Sequence, residues 1–186
     1  MSEHTRVGRN PGEPGPDTRM GTSGWWSAYL DWVRGDLADA VLALGDAARR
    51  RSAVPSGWTP VELLSHVLHM EQRWFVWGFL GEPVADPWGD WDVDEPWENP
   101  DGRWRVPDDV TADDLAVRLD EVAERTRAVL RDHPLHALAS AGGRFAEDPP
   151  TLEWICFHVL AEYARHAGHL DITVELLTTT SPPPDP

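Results

Sequence analysis

Three histidines and one glutamate recur along one short segment, "FHVLAEYARHAGHLD", at residues 157–171. His158, Glu162 and His166 follow one another at intervals of four, and His169 comes three residues later. Each residue of an α-helix turns the side-chain direction by about 100°, so these four residues share an arc of about 80°. Imidazole and carboxylate groups are ligands that zinc and similar divalent cations bind. The spacing therefore indicates a helical metal site.

A second segment, "LLSHVLHMEQRWF", offers a further ligand on another helix. His66 shares a helix face with Met70 and Trp74, and facing helices of a bundle project such residues into a common interior. A buried carboxylate is costly unless an opposite charge lies nearby, and a divalent cation would satisfy Glu162 together with the imidazoles. We predict that His66, Glu162 and His166 bind a metal and leave one coordination position open for water or substrate.

Other interpretations of the histidines stay open at this point. A histidine and a glutamate four residues apart also occur as a solvated face or a hydrogen-bonded pair. His158 and His169 are expected to orient the ligands or to line the pocket, because metal-bound imidazoles need partners that fix their orientation. A closed site, with His158 as the fourth ligand, is the alternative. The other histidines of the predicted globular region are expected at surface or loop positions without a partner: His69, His133 and His136.

Composition limits the classes of partner. The chain has 186 residues, of which 41% are hydrophobic, and this suits one globular domain. Its net charge of −16 opposes binding to nucleic acid and to anionic membranes. The one cysteine, Cys156, excludes an internal disulfide and has no adjacent basic residue, so we interpret it as a buried structural thiol. No stretch reaches the roughly 18 apolar residues of a membrane helix, and we expect a cytoplasmic protein.

Two helices are predicted in the first half of the chain. Apolar residues at three-and-four spacing indicate a first helix over residues 23–50. The second begins after Thr59, which is expected to form a capping box with Glu62. A proline, Pro60, occupies the first helical position. It is expected to run to about Leu80 and to stop at Gly81.

Two more helices complete an all-α fold. The third is capped by Thr111, and the fourth spans about residues 152–177. The connections predict a four-helix bundle with one long crossover between helices two and three. Tryptophans stand among prolines and acids in that crossover, residues 81–110, so it is either a functional lid or a connection that its tryptophans pin to the bundle.

The bundle is expected to span residues 23–178. Residues 1–22 are rich in proline, glycine and charge, and they predict a disordered leader. Residues 179–186 form a Pro-rich tail.

The segments "PSGWTPVELLSHVLHMEQRWFVWGFLGEP" and "TLEWICFHVLAEYARHAGHLDI" together resemble the DinB-like superfamily. Within it they are most similar to the actinobacterial mycothiol-dependent thiol transferase branch, which includes the N-terminal domain of mycothiol-dependent maleylpyruvate isomerase. The resemblance covers roughly residues 24–178. It implies a DinB-like bundle that binds a divalent metal, often zinc, through His66, Glu162 and His166, with nickel, manganese or iron(II) as alternatives.

The same resemblance implies a function. A metal-dependent thiol S-transferase would join a low-molecular-weight thiol, mycothiol, to an electrophile or isomerise the electrophile through a thiol adduct. His158 or His169 would orient groups or transfer a proton, and Trp74 and Arg165 would contact the co-substrate. Relatives also assemble as homodimers. Two rivals stay open: a metal-dependent hydrolase or lyase that activates water, and a non-catalytic metal-binding bundle.

Overall fold

The computed structural model describes residues 10–17, 19–94 and 96–179. It confirms an all-α bundle, without strands in these ranges. The helices are α1 (Thr22–Leu42), α2 (Asp46–Arg49), α3 (Pro60–Gln72), α4 (Ala112–Asp132) and α5 (Leu152–Thr179), and a π-helical segment, Arg73–Phe79, continues α3. Helices α1, α3, α4 and α5 form the bundle. Of the helices in the described ranges, none is long and apolar enough to cross a membrane.

The prediction of one continuous first helix over residues 23–50 is wrong. Helix α1 ends at Leu42, and α2 begins only after Gly45, whose φ of −71° and ψ of 154° are extended. Glycine disfavours a helix because its backbone loses the most freedom there. The break lets Arg49 fold back and donate hydrogen bonds to the carbonyl oxygens of Val41 and Leu42, which satisfies two carbonyls at the end of α1.

The predicted starts and stop of the middle helices are confirmed. Thr59 and Glu62 form the capping box at the start of α3, and Thr111 forms one with Asp114 at the start of α4. The continuation of α3 ends at Leu80, and Gly81 follows with a φ of +68°, a conformation that favours glycine. The π-helical turns before it were not predicted; such turns often occur at functional sites.

One buried carboxylate joins all four helices of the bundle. Glu71 of α3 accepts hydrogen bonds from Arg34 of α1 at 2.8 and 2.9 Å, from Thr126 of α4 at 2.5 Å and from Tyr163 of α5 at 2.5 Å. Burial and the charge of Glu71 raise the pKa of Tyr163 well above its ordinary value, so its hydroxyl stays a donor. The cluster fixes how the helices are aligned.

The crossover between α3 and α4 folds back on itself. The backbone N–H of Asp92 donates to the Arg103 carbonyl at 2.9 Å, and that of Arg105 donates to the Asp90 carbonyl at 2.9 Å. Trp91 and Trp104 therefore stand side by side, with ring centroids 6.2 Å apart. The crossover is pinned to the bundle by its tryptophans; a lid role stays a prediction.

The boundaries of the leader and the tail stay predictions. Residues 1–9, 18 and 180–186 lie outside the described residues. In the described part of the leader, the backbone N–H of Asn10 donates to the Asp39 carboxylate of α1 at 2.9 Å.

Candidate metal centre

The three residues predicted as ligands lie together between two helices. His66 extends from α3, Glu162 and His166 extend from α5, and one candidate ligand atom of each lies within 4.8 Å of the others. The rings of His66 and His166 are 4.8 Å apart at 71°, and Glu162 Oε2 lies 3.4 Å from His166 Nε2. The two histidines are only 9% and 7% exposed. This arrangement could hold one divalent cation.

Asp90, from the crossover, fixes the orientation of His66. Its Oδ2 lies 2.8 Å from His66 Nδ1, and Arg73 binds both of its oxygens at 2.5 and 3.1 Å. Burial raises the pKa of Asp90, but the hydrogen bonds from His66 and Arg73 outweigh burial and hold the pKa below its ordinary value. A carboxylate can only accept, so Nδ1 of His66 carries the proton and Nε2 keeps a free lone pair for a metal.

His166 is held in the form that binds a metal. Burial, followed by the electrostatic influence of the neighbouring His66, His169 and Arg165 side chains, lowers the pKa of His166 to about 3. Its imidazole is therefore neutral at physiological pH, as metal binding requires. Its Nδ1 is buried and has no hydrogen-bond partner in the described part of the chain.

Glu162 is more exposed than the two histidines, and it also contacts Arg165. Its side chain is 20% exposed, and its Oε1 accepts a hydrogen bond from Arg165 at 3.2 Å. Because the Arg165 side chain is 62% exposed, solvent screens this pair, and Oε2 remains free to face His166. Two imidazoles and one carboxylate match the donor set of catalytic zinc sites.

Tryptophans of the crossover form one wall of the centre. The ring of Trp104 stacks on His66, with centroids 4.1 Å apart at 21°, and lies 5.5 Å from His166. Trp91 lies 6.4 Å from His66. The indole N–H groups of Trp91 and Trp104 are buried without a hydrogen-bond partner among the described residues.

The four other predicted site residues lie on α5 or on the π-helical continuation of α3. His158 stacks on Trp154 at 5.2 Å and lies 4.2 Å from the Trp74 ring, so it is outside the group of three ligand candidates in the described part of the chain. Burial, with the charges of Arg144 and Arg165, lowers its pKa. His169 is exposed, and its ring lies 5.9 Å from His166. The roles of His158, His169, Trp74 and Arg165 stay predictions.

The prediction that His69 lies at the surface is wrong. His69 is only 3% exposed, and its Nδ1 lies 2.8 Å from the Ser65 carbonyl oxygen. The crossover covers this side of α3: a side chain at Gly89 would come within 3.0 Å of the His69 ring. His136 is exposed as predicted, whereas His133 packs edge-on against the Phe79 ring at 5.0 Å.

Sequence reasoning missed Asp90 and Arg73. Asp90 is one acid among many in an acidic crossover, and nothing in its spacing distinguishes it from the others. Its position beside Trp91 does not distinguish it either, because Asp92 also adjoins Trp91 and is exposed.

We expect Cys156 to be unreactive in the folded protein. The residue is fully buried, and burial together with the nearby Glu153 raises the pKa of its thiol to about 12, so the thiolate is scarce at neutral pH. Titration with an aromatic disulfide reagent at pH 8 should detect no thiol before denaturation and one thiol per chain after it. Rapid labelling of the native protein would contradict the structural role of Cys156.

Comparison with known proteins identifies the family. The family model for mycothiol-S-transferases matches residues 26–179, a range that contains all four bundle helices almost completely and all three ligand candidates. Neither a search of curated proteins nor a search of solved structures found a significant match. The chain therefore belongs to the mycothiol-S-transferase family, and this membership implies that it is an enzyme with mycothiol S-transferase activity.

Proposed function

We propose that the enzyme uses a divalent metal, held by His66, Glu162 and His166, to join mycothiol through its sulfur to an electrophilic carbon. One observation carries this proposal: the three side chains converge in a largely buried site, with His66 already oriented by Asp90. Zinc is the first candidate because it accepts two imidazoles and one carboxylate and leaves a position for a thiol. Nickel, manganese and iron(II) are the alternatives.

The chemistry follows from these groups. A dication held by His66, Glu162 and His166 would lower the pKa of a nearby thiol and so favour the nucleophilic thiolate near neutral pH. His158 has a lowered pKa, is neutral at this pH and can accept the thiol proton, while exposed His169 can exchange protons with solvent. The sulfur lone pair forms the carbon–sulfur bond. The displaced electron pair departs with a leaving group or moves to the adjacent carbon, which then takes up a proton.

The surroundings of the site support binding of a hydroxyl-rich thiol. Trp91 and Trp104 are partly exposed and line one cavity, so their indole faces can stack on sugar or inositol rings. Arg165 stands at the exposed edge of the site, beside Glu162, and Trp74 lies beside His158. We place this activity in the cytoplasm of an actinobacterium, where mycothiol would be the thiol partner, and we propose a homodimer as the assembly.

The test is metal-dependent conjugation. Protein purified without chelator or nickel affinity resin is mixed with mycothiol and a panel of electrophiles that includes a chlorodinitroarene and a bimane halide, and adducts are measured by mass spectrometry. We expect adducts that disappear after chelation and return with about one equivalent of zinc. Equal adduct formation after verified metal removal would contradict the metal mechanism. Metal-dependent turnover without any thiol would instead favour a hydrolase or lyase.

A further inference from the structure

A second cavity, which we call the tryptophan pocket, adjoins the metal centre. It has a volume of about 730 Å³ and is lined mainly by Trp74, Trp77, Trp88, Trp91, Trp97 and Arg144. Aromatic side chains with one charged group are typical of sites for small organic molecules. Five indoles around one guanidinium therefore indicate a ligand with a flat apolar body and a charge.

Arg144 is the unusual member of this pocket. Its guanidinium lies 4.3 Å from the Trp74 ring, and 5.5 and 5.9 Å from the rings of Trp88 and Trp77. It forms no ion pair with a carboxylate of the described residues, although the chain has 32 acids for 16 arginines. Burial and the charge of Arg73 lower its pKa to about 10, so Arg144 stays protonated at neutral pH. A half-buried cation without a carboxylate favours an anionic ligand.

The connection before α5 holds Arg144 in a fixed place. Its backbone N–H donates to the Trp77 carbonyl at 3.3 Å. The preceding residue, Gly143, lies so close to the π-helical segment that a Cβ atom there would fall 2.2 Å from the same oxygen. Only glycine allows this approach, so Gly143 lets the loop backbone pack close enough to hold Arg144 against the tryptophans.

The pocket shares two residues with the surroundings of the metal centre. The Trp74 ring lies 4.3 Å from the Arg144 guanidinium and 4.2 Å from the His158 ring. Trp91 lines the pocket and lies 6.4 Å from His66. A molecule in the pocket would therefore lie next to the position where the thiol reacts.

We propose that the tryptophan pocket binds the electrophilic substrate, and that this substrate is a planar, mostly apolar molecule whose carboxylate pairs with Arg144. That the bound molecule is the substrate rests on the proposed function, whereas binding of this molecule to the tryptophan pocket does not require the metal. The sugar–inositol body of mycothiol is uncharged, so the anion that Arg144 accepts belongs to the other reactant.

The test compares two naphthalene probes of similar shape, one anionic and one neutral. Binding of 1-naphthoate and of neutral 1-naphthamide to metal-free protein is measured by isothermal titration calorimetry. In Arg144→Gln, we expect naphthoate to bind about tenfold more weakly or worse, because a charge-assisted hydrogen bond is lost, while naphthamide changes less than about twofold. The control is Arg131→Gln, since exposed Arg131 pairs with its neighbour Asp132 on α4 and its loss changes the net charge equally.

A second variant keeps the test decisive if Arg144→Gln fails to fold. Trp97 lines the pocket but is 61% exposed, so Trp97→Ala should fold and should weaken both probes by about threefold. Unchanged binding in Trp97→Ala, or equal loss of both probes in Arg144→Gln, overturns the proposal. So does naphthoate binding that occurs only with zinc and disappears in His66→Ala. Loss of metal binding or of thiol transfer alone leaves the metal-free titrations intact, so the two proposals fail separately.

Discussion

Replacing either His66 or His166 with alanine is expected to remove the bound metal and reduce kcat/KM for mycothiol transfer by about a hundredfold or more. Each histidine supplies one of only three candidate ligands, and each is largely buried, so no solvent-exposed group can take its place without rearrangement. The measurement is elemental mass spectrometry of protein prepared without chelator, beside conjugation kinetics. Metal content should fall from about one equivalent to near zero.

The matched control for these variants is His136→Ala. His136 is an exposed histidine in the connection between α4 and α5, and its loss should change neither metal content nor rate. Asp90→Asn should give an intermediate result, with metal affinity weakened about 10- to 100-fold, because the amide no longer fixes the proton on His66 Nδ1. A folded wild-type protein that stays empty after incubation with zinc, nickel, manganese and iron(II) would refute the metal centre.

Replacing Glu71 with alanine is expected to lower the free energy of unfolding by about 3–5 kcal/mol. The change removes the acceptor of three side chains from three other helices and leaves the 3% exposed Arg34 with only the bond to Asp31. The hydroxyls of Thr126 and Tyr163 lose their acceptor as well. Urea denaturation followed by circular dichroism measures the loss.

Two comparisons isolate the buried ion pair. Glu124→Ala removes an exposed carboxylate that pairs with Arg127, and it should cost less than about 1 kcal/mol. The double variant Arg34→Ala with Glu71→Ala should cost less than the sum of the single variants, because it leaves no uncompensated buried charge. A cost of Glu71→Ala equal to that of Glu124→Ala would show that the network adds nothing to stability.

The hydrogen bonds of Glu71 also connect the two helices that carry the ligand candidates. Glu71 follows His66 by five residues on α3, and Tyr163 is the direct neighbour of Glu162 on α5. The hydrogen bond between Tyr163 and Glu71 therefore sets the alignment of the two helices that carry the ligands. Stability of the bundle and geometry of the site depend on the same contact.

The sequence by itself determined the local features of this protein. Thr59 with Glu62, and Thr111 with Asp114, form capping boxes because both partners lie within one helical turn. The interval of four between Glu162 and His166 places both on one face for the same reason, since the helical period fixes the directions of nearby side chains. The expected packing of a helical bundle then placed His66 opposite Glu162 and His166, and the structure brings these three side chains together.

Only the tertiary structure decided the contacts between distant segments. Asp90 lies 24 residues from His66, and Arg144 reaches its tryptophans from a separate connection. The burial of His69 likewise depends on where the crossover lies. Such contacts depend on how an irregular loop closes over the bundle, and an irregular loop has no periodic pattern from which side-chain directions can be read. The ligand candidates Glu162 and His166 were therefore predictable from local spacing, whereas the groups that surround the candidate site and line the neighbouring pocket were not.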